Sequence, residues 1–263
     1  MSDRKQTFAD PMILVRPLVT ITNIIWSFDR LTDSVQVLLV KRSDHPYQGC
    51  WGLPETYLRR AESAEAASLR LISEKIGVKL PRFHTEQLAT FTDPRRSPPP
   101  RTIALTYMIY LPEVVPLTAG TGATDAEWFR LAARDGNYEL NCGQACLTTA
   151  DDRAEEEDYY SDLTVRPRSN DHLAYDHEWI LRVACARIRN KLDYQPNIWL
   201  ILGSKFTLKQ ARTVYALFFK TSVTTIDNSN FKKTHRHLLK EVGEAAAGHP
   251  GRPAKLYRLA HLD

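Results

Sequence analysis

Apolar residues cluster first in two short runs, Ile21 to Phe28 and Val35 to Val40, separated by a polar stretch with the character of a turn. Two more follow, Phe83 to Phe91 and Thr102 to Tyr110, and a fifth, shorter one lies near Glu127 to Phe129. Their β-branched and aromatic content predicts strands. Between the second and third runs the period changes. Ala66, Leu69, Ile72 and Ile76 recur at helical spacing, so this segment is an amphipathic helix with those four residues inward. The mixture predicts an α/β sheet.

Beyond the strands lies an acidic run, DDRAEEEDYYSD at 151–162, read as a solvated loop or the tip of a hairpin. A helix is expected from about His172 to Leu192, starting near Asp171 or Asp176, with Trp179, Ile180, Val183, Ile188 and Leu192 on its apolar turns and Pro196 beyond its end. It is placed to join two domains and to offer part of a dimer interface. Thr207 is a good N-cap for LKQARTVYALFF, where Leu208, Ala211, Val214, Tyr215 and Phe218 repeat at helical spacing. After a turn through Lys220 to Thr225, DNSNFKKTHRHLL predicts a second helix with Phe231, Leu238 and Leu239 inward. Lys240 to Ala245 and Ala254 to Leu259 then predict two strands around AAGHPGRP. Helix, turn, helix and hairpin together form the pattern of a winged helix-turn-helix.

Length and composition fit two domains, 1–193 and 194–263: the chain has 263 residues, of which 43% are hydrophobic. No apolar run approaches the roughly 20 residues needed to span a bilayer, and the first residues, MSDRKQTFADP, lack the apolar stretch of a signal peptide. A cytoplasmic protein without a membrane partner is expected. The four cysteines, Cys50, Cys142, Cys146 and Cys185, form no CxxC pair, so neither a zinc site nor a disulfide framework is indicated. Cys142 and Cys146 with His172 or His177 are the nearest approach to a metal set, and buried or inert thiols are the better reading.

Charge changes the picture more. Residues 194–263 carry eleven Lys and Arg against four Asp and Glu, a net +7, which leaves −3 for residues 1–193 of the total of +4. A basic domain follows an acidic one, and the basic one is the candidate for meeting phosphate. On its second helix Ser229, Lys232, Lys233 and Arg236 fall at i, i+3, i+4 and i+7. Such a stripe suits a recognition helix in a major groove, where some side chains read bases and the others hold phosphates. The candidate DNA contacts are Lys209, Asn228, Ser229, Asn230, Lys232, Lys233, Arg236, Arg252 and Lys255, with Arg252 at the wing tip.

Residues 51–78, WGLPETYLRRAESAEAASLRLISEKIGV, resemble a Nudix box, G-x5-E-x7-R-E-U-x-E-E-x-G-U. Glu62, Arg70, Ile72, Glu74, Gly77 and Val78 match; Thr56 replaces the first Gly, Leu71 the first clustered Glu and Lys75 the last. Positions 71, 74 and 75 are i, i+3 and i+4 on a helix, so three carboxylates there would share a face and hold a divalent cation. Leu71 offers no oxygen and Lys75 supplies a positive charge where the metal would sit. No catalytic residue, no metal and no required cofactor are therefore expected, and a bound phosphate would be tolerated. The loop FTDPRRSPPPR at 91–101 resembles the arginine-bearing loop of ADP-ribose-type Nudix proteins, and arginine forks suit a diphosphate. The candidate ligand residues are Arg42, Trp51, Arg70, Glu74, Lys75, Arg95, Arg96 and Arg101.

FTLKQARTVYALFF, NFKKTHRHLL and GRPAKLYRL behind a Nudix-like domain resemble the NrtR family, Nudix-related transcriptional regulators of NAD metabolism, including its NadQ-type members. The resemblance covers nearly the whole chain. It implies a Nudix-like α/β/α sandwich followed by a winged helix-turn-helix, and a homodimeric repressor whose DNA affinity depends on ADP-ribose or a related adenine nucleotide. ADP-ribose, NAD and ATP all remain open as effector. A symmetric dimer would occupy a palindromic operator on double-stranded DNA. Two other readings stand beside it: an active ADP-ribose-type pyrophosphatase with an appended domain, and a protein-interaction module.

Overall fold

A computed structural model describes residues 16–77, 84–166, 169–245 and 253–260. Its centre is a sheet whose main path runs β5-β6-β1-β2-β7-β8-β9. The strands are β1 (Leu18–Asp29), β2 (Ser34–Arg42), β5 (His84–Phe91), β6 (Thr102–Tyr110), β7 (Ala123–Ala133), β8 (Tyr138–Cys142) and β9 (Ala145–Thr148). Two short strands leave this path: β3 (Trp51–Gly52) pairs with β2, and β4 (Glu55–Tyr57) pairs with β1. β1 runs parallel to β6 and antiparallel to β2, so the sheet is mixed. The five apolar runs are all strands of this sheet. The hairpin β8–β9 was not expected from the pattern, because only Tyr138, Leu140 and Leu147 are buried in it.

Both faces of the sheet are covered, which is why β1 and β2 read as continuous apolar runs rather than as an alternation. In β1, Ile21 and Ile25 face α1 (Ala64–Ile76), whereas Ile24, Trp26 and Phe28 enter the larger core on the opposite side. That side is closed by α3 (His177–Lys191), by a 3-10 turn at Asn197–Leu202, and by α4 (Leu208–Phe218). The result is the expected α/β/α sandwich.

Three local expectations are corrected. The acidic run is a loop only over 151–155: Glu156–Val165 form α2, which buries Tyr159, Tyr160 and Leu163 while its carboxylates stay in solvent at the helix N-terminus. In α1, Ala66 and Leu69 are exposed, and the buried stripe is Ala67, Ser68, Leu71 and Ile72. The helix is turned by a buried polar pair, in which Ser68 Oγ donates to Asn23 Oδ1 at 2.8 Å and Asn23 Nδ2 donates to the Ser68 carbonyl at 2.9 Å. The side chain of Ile76 lies outside the described residues. Finally, α3 runs His177–Lys191 with Asp176 at its N-cap, the later of the two expected starts, and does not reach back to His172.

The carboxy-terminal unit has a three-stranded sheet in the order β10-β12-β11, built from Phe206–Thr207, Lys255–Leu259 and Leu239–Glu244 respectively. Thr207 caps α4 with a full capping box, donor and acceptor exchanged with Gln210. Helix α5 (Asn228–Thr234) is capped by Asp227, which accepts from Asn230 N at 2.7 Å. It is only seven residues long, so Arg236 lies beyond it. Leu239, expected inward on that helix, opens β11 instead. The wing tip, with His249 and Arg252, lies outside the described residues.

Candidate functional site

The box folds as a loop and helix pinned by one guanidinium. Arg70 donates to both carboxylate oxygens of Glu62 (2.9 and 2.5 Å), to Glu74 at 2.7 Å, and to the Tyr57 carbonyl at 3.0 Å. The hydrogen bond from Arg70 brings the Glu62 carboxyl down to about 2. Glu74 also accepts from Arg59 at 2.8 Å. Arg70 and Glu74 thus bind each other.

The three positions expected to share a face diverge. Leu71 is wholly buried against Ile21 and Ala67, Glu74 turns to the two arginines, and Lys75 donates Nζ–H to the Thr121 carbonyl. Burial and the nearby Arg42 draw the Lys75 ammonium below its usual range, against the pull of Asp44, Glu74 and Glu55. The loop over this lysine depends on two glycines. A Cβ on Gly120 would stand 1.9 Å from the Glu74 carbonyl oxygen, and one on Gly122, at φ +76°, 2.8 Å from Lys75 Nζ.

A shallow cleft of about 60 Å³ opens beside the box, lined by Glu55, Tyr57, Arg96, Thr102, Tyr175 and the prolines 98–100. Arg96, expected from sequence, is here as a buried cation: it grips Asp176 with two bonds of 2.9 and 3.0 Å and donates to Thr102 Oγ1 at 2.6 Å. Asp176 also accepts from the Tyr160 hydroxyl at 3.0 Å, which explains why it does not cap α3 with its side chain. At the other side, Arg42 lies 4.9 Å from the Tyr175 ring, and its Nε is buried without a hydrogen-bond partner. Glu55 stays ionised although burial opposes it, because His177 hydrogen-bonds to it at 3.5 Å and Arg96 and Arg42 lie near. Arg42, Lys75 and Arg96 therefore stand around one carboxylate.

The remaining expected ligand residues are placed otherwise. Trp51 packs its ring edge-on to Phe129 at 4.9 Å. Arg95 is paired with Asp93 at 2.7 Å and Glu157 at 2.6 Å, and Arg101 is exposed with a bond to the Thr92 carbonyl. Neither lines the cleft. Glu55, Tyr175 and His177 were missed. Tyr175 reaches the site through a left-handed backbone, φ +56°, which no side-chain pattern announces. Cys142 and Cys146 do not converge: Cys142 pairs with Ala145 and Cys146 with Asn141, so the two thiols fall on opposite faces of the hairpin.

The basic unit presents Lys209, Asn228, Ser229, Asn230, Lys232, Lys233 and Arg236 as exposed side chains, with Lys255 partly exposed beside them. Lys209, Asn228, Lys232 and Lys255 gather around one groove of about 400 Å³ between α4, α5 and β12. Lys233 and Arg236 lie outside it.

Residues 24–140 match the family model of the NUDIX domain, and residues 199–259 match that of the NrtR DNA-binding winged helix domain. A crystal structure of a MutT/nudix family protein from Enterococcus faecalis superposes with a TM-score of 0.80 at 30% identity, covering 94% of this chain and 87% of that one. The chain belongs to the MutT/nudix family. A relative in this family, the ADPR responsive transcriptional repressor NtrR of Acinetobacter baylyi, is 24% identical over 94% of this chain and 84% of its own. Shewanella oneidensis NrtR, solved in complex with a 27mer DNA, shares the fold with a TM-score of 0.60 at 22% identity over 92% and 93% of the two chains. Both matched structures thus align across the two domains seen here.

Proposed function

We propose that this chain is a transcriptional repressor that binds duplex DNA through its winged helix and senses ADP-ribose, or a related adenine nucleotide such as NAD or ATP, in its Nudix cleft. The observation that carries the reading is the union of the two domains in one chain, aligned along 94% of its length with an ADPR responsive repressor. The genes it controls are those of NAD synthesis or salvage, its form is a cytoplasmic homodimer, and its operator is palindromic. No helix among the described residues is long and apolar enough to cross a membrane. The sensing unit spans 1–193 and the DNA-binding unit 194–263.

The site supports binding without turnover. Glu62 and Glu74 are neutralised by Arg70 and Arg59, and position 71 is hydrocarbon, so the box offers a divalent cation no free pair of carboxylates. Arg96 lines the cleft, and Arg42 and Lys75 add positive charge near its Glu55. Arg42 has an unpaired buried donor, which a phosphate oxygen would satisfy. A pocket for a dinucleotide-sized ligand measures hundreds of Å³, so the ligand would extend well beyond the 60 Å³ cleft.

The test is selection of bound fragments from genomic DNA with and without ADP-ribose, NAD and ATP. A short palindromic set whose recovery changes with one nucleotide supports the reading. Magnesium-dependent release of AMP from ADP-ribose, with no selective DNA recovery, would replace it with the enzyme.

A further inference from the structure

Three ammonium groups border the groove between α4, α5 and the wing: Lys209, Lys232 and Lys255. Like charges around one groove repel, and each here meets a carboxylate instead. Glu241, on β11, accepts from Lys255 Nζ at 2.6 Å and lies 3.5 Å from Lys232 Nζ. Lys232 also lies 5.4 Å from the Tyr257 ring, which fixes its direction. Lys209 Nζ meets Asp33 Oδ2 at 2.6 Å, and Asp33 belongs to the turn between β1 and β2, in the Nudix sheet. These pairs are too exposed to hold the fold, since the side chains of Lys209, Lys232, Lys255 and Glu241 all keep more than a third of their surface in solvent. Their arrangement has another use. A carboxylate accepting from two lysines presents the same charge-assisted acceptors as a phosphodiester.

We propose that Glu241 and Asp33 stand, in the DNA-free chain, where two backbone phosphates of bound duplex stand, so that DNA binds by exchanging these carboxylates for phosphate. The inference rests on the DNA-binding reading above and adds the location of a phosphate seat and two residues that hold the affinity down. Asn228, also on the groove, is oriented by Arg212 at 3.4 Å and supplies a neutral donor beside the lysines. Because Asp33 comes from the Nudix sheet, engagement of Lys209 by DNA also opens one tie between the two units.

The experiment measures binding of the full chain to a fluorescently labelled duplex of arbitrary sequence across a salt series, by anisotropy. Glu241→Gln and Asp33→Asn should each tighten binding about three- to tenfold at every salt concentration, as the lysine no longer has to give up a carboxylate before it meets phosphate. Lys255→Gln should weaken binding and flatten the dependence of log K on log salt. Unchanged or weaker binding by both acid variants, with the wild type binding normally, overturns the proposal. If Glu241→Gln does not fold, Asp33→Asn decides it from a separate element. If the wild type shows no salt-dependent binding at all, the DNA-binding reading fails first, and this inference with it.

Discussion

Tyr138, at the start of β8 in the Nudix sheet, donates its hydroxyl proton to the main-chain oxygen of Phe218, the last residue of α4, at 3.0 Å. The Phe218 ring in turn meets Trp26 of β1 edge-on at 6.0 Å, and both aromatics are buried. Nearby, Lys220 lies 4.4 Å from the Tyr138 ring and pairs with Asp152 at 2.7 Å, and Arg30 donates to the Leu202 carbonyl at 2.5 Å. The first helix of the winged-helix unit is therefore part of the core of the Nudix unit. Within the chain the two units therefore move as one block unless this junction breaks.

The junction predicts one cooperative unfolding transition for the whole chain, seen by both tryptophan fluorescence and far-ultraviolet circular dichroism in urea. Tyr138→Phe removes one buried hydrogen bond and should lower stability by about 1 kcal/mol. Phe218→Ala leaves a cavity in the shared core and should cost about 3 to 5 kcal/mol. Two separated transitions in the wild type would show that the junction does not couple the domains.

Asp176 is wholly buried and satisfies Arg96 and Tyr160 together. Removing one partner of a buried ion pair strands the other. Asp176→Ala should therefore cost about 3 to 5 kcal/mol and abolish ADP-ribose binding by calorimetry, since Arg96 would leave its fixed position in the cleft wall. Asp176→Asn, keeping the shape and losing the charge, should fall between the two.

Lys75 and Leu71 test whether binding is separate from turnover. Lys75→Ala should weaken ADP-ribose about tenfold by removing one charge-assisted contact, without a magnesium requirement appearing in calorimetry. Leu71→Glu puts a carboxylate among Ile21, Ala67 and Leu58. It should lower the melting temperature sharply, by the roughly several kcal/mol that an unpaired buried ion costs. Restoring the box carboxylates at 71 and 75 therefore requires repacking against β1 as well.

His172 carries a pH signature. Its hydrogen bond to Glu178, 2.9 Å, raises its pKa above 6.5 although burial opposes this. A raised histidine contributes stability that is fully present below pH 6.5 and is lost as pH rises through the folded value. The ring is 41% exposed, so the effect should stay below about 1 kcal/mol. Melting temperatures from pH 5.5 to 8.5 should show that loss in the wild type and a flatter profile in His172→Gln.

The five apolar strands of the large sheet, the Arg70 register of the box, the capped helix α4 and the charge divide between the two halves were legible in the sequence, because each follows from local spacing and residue type. Apolar runs mark strands wherever both faces are covered, and a Thr followed three residues later by Gln caps a helix in nearly any context. The rotation of α1 was not legible. It depends on Ser68 meeting Asn23, 45 positions away, and that exchange of hydrogen bonds outweighs the apolar stripe through Ala66 and Leu69.

The sequence by itself determined which units this chain contains and where its charge lies. Only the tertiary structure decided which charges are available. Arg95 is held by Asp93 and Glu157, Arg96 by Asp176, and Lys209 by Asp33, while Arg42 keeps an unpaired buried donor. A charged side chain is committed by the opposite charge nearest in space, and for Arg96 and Asp176 that partner is 80 residues away along the chain.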